Sequence, residues 1–289
     1  MFVIFPLGHD QEVYSQPWLT YGLIAACCLV FVWQSSAQDH ALSELDAQLF
    51  GVARYLDEVP EARISPSVAD QLPAQLRGPA FELTAATDDD PDVDFELEDQ
   101  LLAAGDALRR VPTLRLGYVP ADGGVGRMVT SMFAHGGWMH LIGNMVFLLL
   151  TGAVIECFWR PAAFVGLYLL AGVAGALAHR LVDPTSAVPL VGASGAIAGL
   201  MAAFLLGHAR TRIRLGYFVW FFFAIRAGAF VVPALVVIPL WAAQQVFYLW
   251  LEPTDGVAYA AHVGGFLAGV AATFGARHLR WIATDAGRA

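Results

Sequence analysis

Four polar side chains stand out in a chain built otherwise of apolar residues. Gly192-Ala193-Ser194-Gly195 sets a serine among small residues where a loop turns into a helix, and the backbone N–H groups there have no partner within the helix. Such a junction can hold an oxyanion beside a nucleophilic hydroxyl. Alone, the segment reads equally as an N-cap in a small-residue packing motif, so the serine needs partners. Ala261-His262-Val263-Gly264-Gly265 offers one, because Gly265 and Gly269 repeat the four-residue spacing of Gly195 and Gly199. Two such faces let helix backbones approach closely. That approach brings the His262 ring within hydrogen-bond reach of the Ser194 hydroxyl, as a general base and its nucleophile require.

A third contribution is His135-Gly-Gly-Trp-Met-His140-Leu-Ile-Gly-Asn144. His140 and Asn144 are four apart, share one helical face and aim two donors at a common point. Zinc would want three ligands, and no Cys or Glu stands at a usable spacing, so neither a metal nor another cofactor is indicated. Glu156 is the one carboxylate inside an apolar helical run, and it lies at the far end of that run. Nothing acidic orients the histidine, so Ser194 and His262 form a dyad.

The elements that must position these groups are membrane helices. The 289 residues are 57% apolar and 14% charged, with a mean hydropathy of +0.58; an ordinary soluble domain has about 25% charged residues. Apolar runs cover Pro17 to Trp33, His140 to Phe158, Ala163 to Leu181, Gly195 to His208, Ala227 to Leu251 and Tyr259 to Phe274. The expected fold is therefore an all-α membrane protein of six transmembrane helices with a long extramembrane insert between helices one and two. The first run lacks a basic n-region before it and reads as a signal-anchor, not a cleaved signal peptide. The fourth run is short, so its start lies below the bilayer surface in a water-accessible recess. In this scheme helices two, four and six run in one direction, and His140, Asn144, Ser194 and His262 all fall at the same end of them. Polar groups at one membrane depth are usually functional.

Arginines in short loops set the orientation. Arg160, the group Arg210, Arg212, Arg214 and Arg226, and Arg277, Arg280 and Arg288 fall on one side, which is cytoplasmic together with both termini. A bacterial inner membrane is the expected location. The aromatic stretch Ile213 to Arg226 is expected at the cytoplasmic interface. Of 25 acidic residues, 18 lie between positions 38 and 127 with 7 of the 16 arginines, so the net charge of -9 belongs to that segment and nucleic acid is not a partner. The run DDDPDVDFELED favours a solvated linker, flanked by short amphipathic helices at Leu45 to Tyr55 and Phe95 to Leu108. Its aspartates lack the glycine turn and terminal Glu of a calcium loop. Cys27, Cys28 and Cys157 sit in apolar stretches and form no disulfide framework.

HGGWMHLIGNM, GASGAIAG and AHVGGFLAG, in this order on alternate helices, resemble the rhomboid family of intramembrane serine proteases over roughly Arg115 to Gly275. The resemblance implies Ser194 as nucleophile, His262 as its base, and His140, Asn144 and the Ser194 N–H as the oxyanion hole, with His135, Gly192, Gly195, Gly265 and Gly269 in support. It also implies that Arg127, in a membrane-embedded first loop, pairs with Glu156. Gly126 stands where the family often has Trp, and Ala198 where some members have Tyr. The implied substrates are transmembrane helices of other proteins in the lipid bilayer, cut near small residues toward the outer face. The implied organisation is 1–36 for the cytoplasmic segment and helix one, 37–111 for a partly disordered acidic insert, 112–282 for the protease core and 283–289 for a cytoplasmic tail. A catalytically weak rhomboid-like binding factor and a polytopic transporter are the competing readings. The first would lack the dyad and the second would show inverted repeats with midplane charges.

Overall fold

The computed structural model describes residues 2–83, 92–221, 224–251 and 256–279. Asp88, Asp89 and Asp90, the Glu252-Pro253 turn, Arg280, Arg288 and the tail 283–289 lie outside them. The elements run β1 (Phe2–His9), α1 (Trp18–Glu58), α2 (Pro66–Gln71), α3 (Ala74–Phe81), α4 (Phe95–Arg110), α5 (Pro112–Leu116), α6 (Val125–Thr130), α7 (Trp138–Phe158), α8 (Pro161–Val182), α9 (Ser194–His208), β2 (Arg212–Phe221), β3 (Ala224–Pro233), α10 (Ala234–Leu251) and α11 (Tyr259–His278). Among the described residues five helices, α1, α7, α8, α10 and α11, are long and apolar enough to cross a membrane, and α9 is apolar but only 15 residues long. The chain divides into two units, one of Met1–Cys28, His135–Val182 and Gly192–Ala289, the other of Leu29–Ala134 and Asp183–Val191.

In the first unit the centre is α9, buried from Gly195 through Phe204. Its neighbours reach it backbone to backbone. A Cβ added at Gly265 of α11 would overlap the carbonyl of Gly195, one at Gly269 would overlap Gly199, and one at Gly199 would run into Ala171 of α8. Gly264 stands equally close to Ala178. In lipid, helices gain little from burying apolar surface, so small residues and dense van der Waals contact hold such a bundle. α10 is different: only Ala234, Ile238 and Gln245 are buried, while Leu240, Val246, Phe247 and Trp250 face outward.

This unit is a helical membrane bundle with one addition, a three-stranded antiparallel sheet in the order β1-β2-β3. The pairing of β1 with β2 runs from Phe2↔Val219 to His9↔Ile213 with a bulge between Pro6 and Gly8, and β2 pairs with β3 from Arg212↔Pro233 to Phe221↔Ala224. The helix expected from Ala227 therefore begins at Ala234. Residues 224–233 carry Gly228, Val231, Val232 and Pro233, a poor helix sequence, and their backbone groups pair with β2 instead. Glu156, at the end of α7, accepts from Leu19 N at 2.8 Å and from Thr20 N and Oγ1 at 2.7 and 2.8 Å. It thus satisfies first-turn donors of α1 with a carboxylate from another helix.

In the second unit α1 runs well past the Trp33 expected as its end. Its 41 residues span about 60 Å, roughly twice a hydrocarbon core. Residues 34–58 contain no Pro and one Gly, so nothing in them stops a helix. The insert, expected to be partly disordered with short amphipathic helices flanking a solvated run, contains two buried clusters among its described residues. One joins Val52, Ile64, Leu72, Leu97 and Leu101, and the other joins Ala41, Leu45, Ala107, Leu108 and Val111. The physical reason is periodicity: Leu97, Leu101, Ala104 and Leu108 recur at helical spacing, so a charge-dense helix still carries one apolar face. Asp94 caps α4 by accepting from Glu96 N and Leu97 N at 3.0 and 3.1 Å, and the buried Glu98 carboxylate accepts from Ser65 N at 2.8 Å and Ser65 Oγ at 2.5 Å. Arg127 lies on α6 and has its carboxylate partner in Asp122, 3.9 Å away. Arg127 and Glu156, expected to pair, thus each have a partner within their own unit.

Candidate active site

Ser194 opens α9 directly after Ala193, the N-cap residue. As the first helical residue, its N–H has no acceptor within the helix. Its hydroxyl meets His262 of α11, with Nε2 and Oγ 2.8 Å apart. The close backbone approach of Gly265 and Gly269 to Gly195 and Gly199 makes this distance possible. A single added Cβ on either side would push the two helices apart and separate the pair.

The other ring nitrogen of His262 faces Gln245 of α10, with Nδ1 and Oε1 2.7 Å apart. The Gln245 amide nitrogen donates to Trp241 O at 3.4 Å, which turns its oxygen toward the ring. An acceptor at Nδ1 fixes the proton there and leaves Nε2 with a free lone pair for the serine proton. Gln245 is 6% exposed, so the amide is shielded from competing solvent. Trp241 and Tyr259 flank the imidazole with ring centroids at 6.0 and 6.3 Å. Sequence reasoning singled out none of these three. A readable signal did exist, since Gln244-Gln245 is the only polar pair in the apolar run 234–251. Beside the histidine, α10 and α11 enclose an apolar cavity of about 230 Å³ lined by Trp241, Val246, Val263, Phe266 and Leu267.

His140 and Asn144 stand on α7 against the loop that leads into Ser194. Gly192 has φ +118, and a Cβ there would lie 2.7 Å from the His140 ring and 3.5 Å from Asn144 Nδ2. Both the backbone conformation and the space require glycine. His140 Nδ1 accepts from Gly136 N at 3.4 Å, which leaves the proton on Nε2, the nitrogen nearest Gly192. The two histidines therefore carry opposite tautomers, a donor edge at His140 and an acceptor edge at His262. Asn144 is buried and donates from Nδ2 to His140 O at 3.0 Å. His135 is wholly buried and packs its ring edge-on against His140, with centroids 5.3 Å apart. The arrangement can activate a hydroxyl and surround it with neutral donors, the two requirements of acyl transfer. Among the described residues no group of three or more His, Cys, Asp or Glu side chains is placed to hold a metal ion.

The Rhomboid domain model matches residues 122–278. RHOMBOID-like protein 5 of Arabidopsis thaliana is 30% identical over 164 residues, 55% of this chain and 48% of that protein. Rhomboid-related protein 2 of Mus musculus is 33% identical over 151 residues, 50% of this chain and 45% of that protein. Rhomboid-like protease 5 of Toxoplasma gondii is 29% identical over 144 residues, 50% of this chain and 15% of that protein. The chain thus spans about half the length, or less, of these curated relatives.

Proposed function

This chain belongs to the rhomboid family, and we propose that it is an intramembrane serine endopeptidase that cuts transmembrane helices of other membrane proteins. The observation that carries the proposal is the 2.8 Å contact between Ser194 Oγ and His262 Nε2. Ser194 Oγ attacks the scissile carbonyl carbon as its proton passes to His262 Nε2. The new oxyanion is met by the Ser194 N–H, His140 Nε2–H and Asn144 Nδ2. Collapse expels the amine with the proton held on His262, leaving an acyl-serine. A water molecule, deprotonated by the same histidine, then releases the carboxylate product. Gln245 holds the tautomer throughout without becoming charged. His135, Gly192, Gly195, Gly265 and Gly269 position these groups, and the cavity between α10 and α11 offers an apolar wall for a helical substrate.

Six membrane crossings fit this reading. β1 precedes α1, and β2 follows α9, yet the two strands pair. They lie on one side of the bilayer, which requires an even number of crossings between them. If α1, α7 and α8 cross, α9 crosses too. At 15 residues α9 spans about 22 Å, so its serine end starts below the surface. Arg212, Arg214 and Arg226 ride on the sheet, and the positive-inside rule then puts that side in the cytoplasm. Orientation is what the arginines support, whereas the bacterial inner membrane is a narrower choice than a family with plant and mouse relatives requires.

The test is a gel assay of the purified full chain in detergent with a tagged single-span membrane substrate. Wild type should release a shortened fragment and label with a fluorophosphonate at Ser194. Ser194→Ala should do neither while keeping its helical circular dichroism. Undiminished cleavage by a folded Ser194→Ala protein would overturn the assignment.

A further inference from the structure

Four arginines converge on one cleft in the unit made of Leu29–Ala134 and Asp183–Val191. The cleft holds about 310 Å³ and is lined by Arg77 of α3, Arg109 of α4, Arg115 of α5 and Arg127 of α6, with Asp122 as the only carboxylate among the described residues. Positions 38 to 127 hold seven arginines and eighteen acids. Among the described residues the cleft therefore gathers four of the seven arginines and one acid, a formal charge of +3 inside the most acidic segment of the chain. Chance placement on an acidic surface would give the opposite sign.

The internal pairing leaves this charge largely unanswered. Asp122, whose side chain is 17% exposed, serves Arg77 at 3.4 Å and Arg127 at 3.9 Å. Arg77 donates one Nη2 bond to Leu72 O at 3.0 Å, but its Nε is buried with no partner among the described residues. Arg109 donates to Gln71 O and to Asp106, the latter an exposed pair one helical turn away, which neutralises little. Arg115 is exposed, and no described side chain pairs with its guanidinium. A buried guanidinium N–H left over is a donor waiting for an acceptor. Several planar forks around one space suit a tetrahedral anion with several oxygens.

We propose that this cleft binds a phosphate group, with Arg77, Arg109 and Arg115 as its donors, carried either by a membrane lipid headgroup or by a small soluble phosphate. None of these arginines belongs to the proposed catalytic set, and the ligand is not the peptide being cut. Arg109 and Arg115 present the exposed guanidinium groups, so they supply affinity. Arg77, anchored by Leu72 O and Asp122, fixes the orientation of the anion.

The full chain tests this in two arms. In phosphatidylcholine nanodiscs, radiolabelled inorganic phosphate is measured by equilibrium dialysis. In detergent, retention of dioleoyl phosphatidic acid against phosphatidylcholine is measured by native mass spectrometry. Wild type should bind at least one probe, and Arg109→Gln/Arg115→Gln should weaken that binding by about tenfold or more. Arg54→Gln/Arg110→Gln removes the same charge outside the cleft and should leave binding within about twofold of wild type. Binding of the soluble probe points to a free phosphate, and binding of the lipid alone points to a headgroup. Should the cleft variant lose its circular dichroism, phenylglyoxal modification of the wild type replaces it: the bound probe should protect Arg109 and Arg115 but not Arg54. The proposal fails if neither probe binds, if the control loses as much affinity as the cleft variant, or if the probe protects no cleft arginine.

Discussion

Ser194 and Gln245 approach His262 from opposite sides, and the helices that carry them are held in opposite ways. α9 is buried along ten consecutive residues, with the backbones of α8 and α11 in contact with its glycines. α10 buries three residues, contains Pro239, and turns most of its large side chains outward. Ser194, the proposed nucleophile, thus sits where close backbone contacts surround its helix, and Gln245 sits on a helix with few buried residues. An oxyanion site must be rigid to stabilise charge without reorganising. A wall that admits another helix must yield. The division of labour places each requirement on a separate element.

The strongest way to break the contrast is to crowd α9. Gly269→Leu puts a side chain where Gly199 stands, and overpacking of that kind should cost about 3 kcal/mol or more. The expected result is a large fall in the thermal unfolding midpoint together with loss of fluorophosphonate labelling; an unchanged midpoint would mean that α9 and α11 do not touch in the membrane. Removing single donors should hurt less. His140→Ala and Asn144→Ala should each lower kcat by roughly 10 to 1,000-fold while leaving the midpoint nearly unmoved, because the remaining donors still meet the oxyanion. A loss as complete as that of Ser194→Ala would make them structural residues.

On the α10 side the effects should shrink. Gln245→Leu removes the acceptor at Nδ1 and should lower kcat by roughly 10 to 100-fold with KM little changed, since the histidine then loses the bond that selects its tautomer. Gln245→Glu keeps an oxygen there and should recover part of that rate, whereas equal rates for the two variants would remove Gln245 from the mechanism. Smallest of all, Leu240→Ala on the outward face should change the unfolding midpoint by the equivalent of about 0.5 kcal/mol or less. A destabilisation as large as that of Gly269→Leu would show α10 to be packed as tightly as α9.

Much of the helical core was legible because its signals are local. The apolar runs located α7, α8, α9 and α11 to within a few residues, and the shared spacing of glycines predicted which faces would meet. Gln245 was legible as half of a polar pair in an apolar run but not as the partner of His262, because an amide in such a helix does not say which neighbour it faces. The bonds of Glu156 to Leu19 and Thr20 were not legible for a related reason: a lone carboxylate pairs as well with helix N–H groups as with a guanidinium, and composition cannot choose between them. The sheet was missed because β1 and β2 pair across most of the chain, beyond the reach of any window. In the insert, the amphipathic helix at Phe95 to Leu108 was legible, but the distant residues that its apolar face packs against were not.

The pairing of β1 with β2 also sets a timetable. β2 is translated roughly 200 residues after β1, which at ordinary synthesis rates is a delay of about ten to forty seconds. During that interval β1 has no strand to bond, and an open strand edge invites the wrong partner. Pro6 has no N–H to donate, which interrupts the strand's row of donors and so makes an unplanned pairing poorer. The sheet can close only after α7, α8 and α9 have all been made. β1 is thus made before α7, α8 and α9 but placed after them, and its docking marks a bundle in which those helices are already complete.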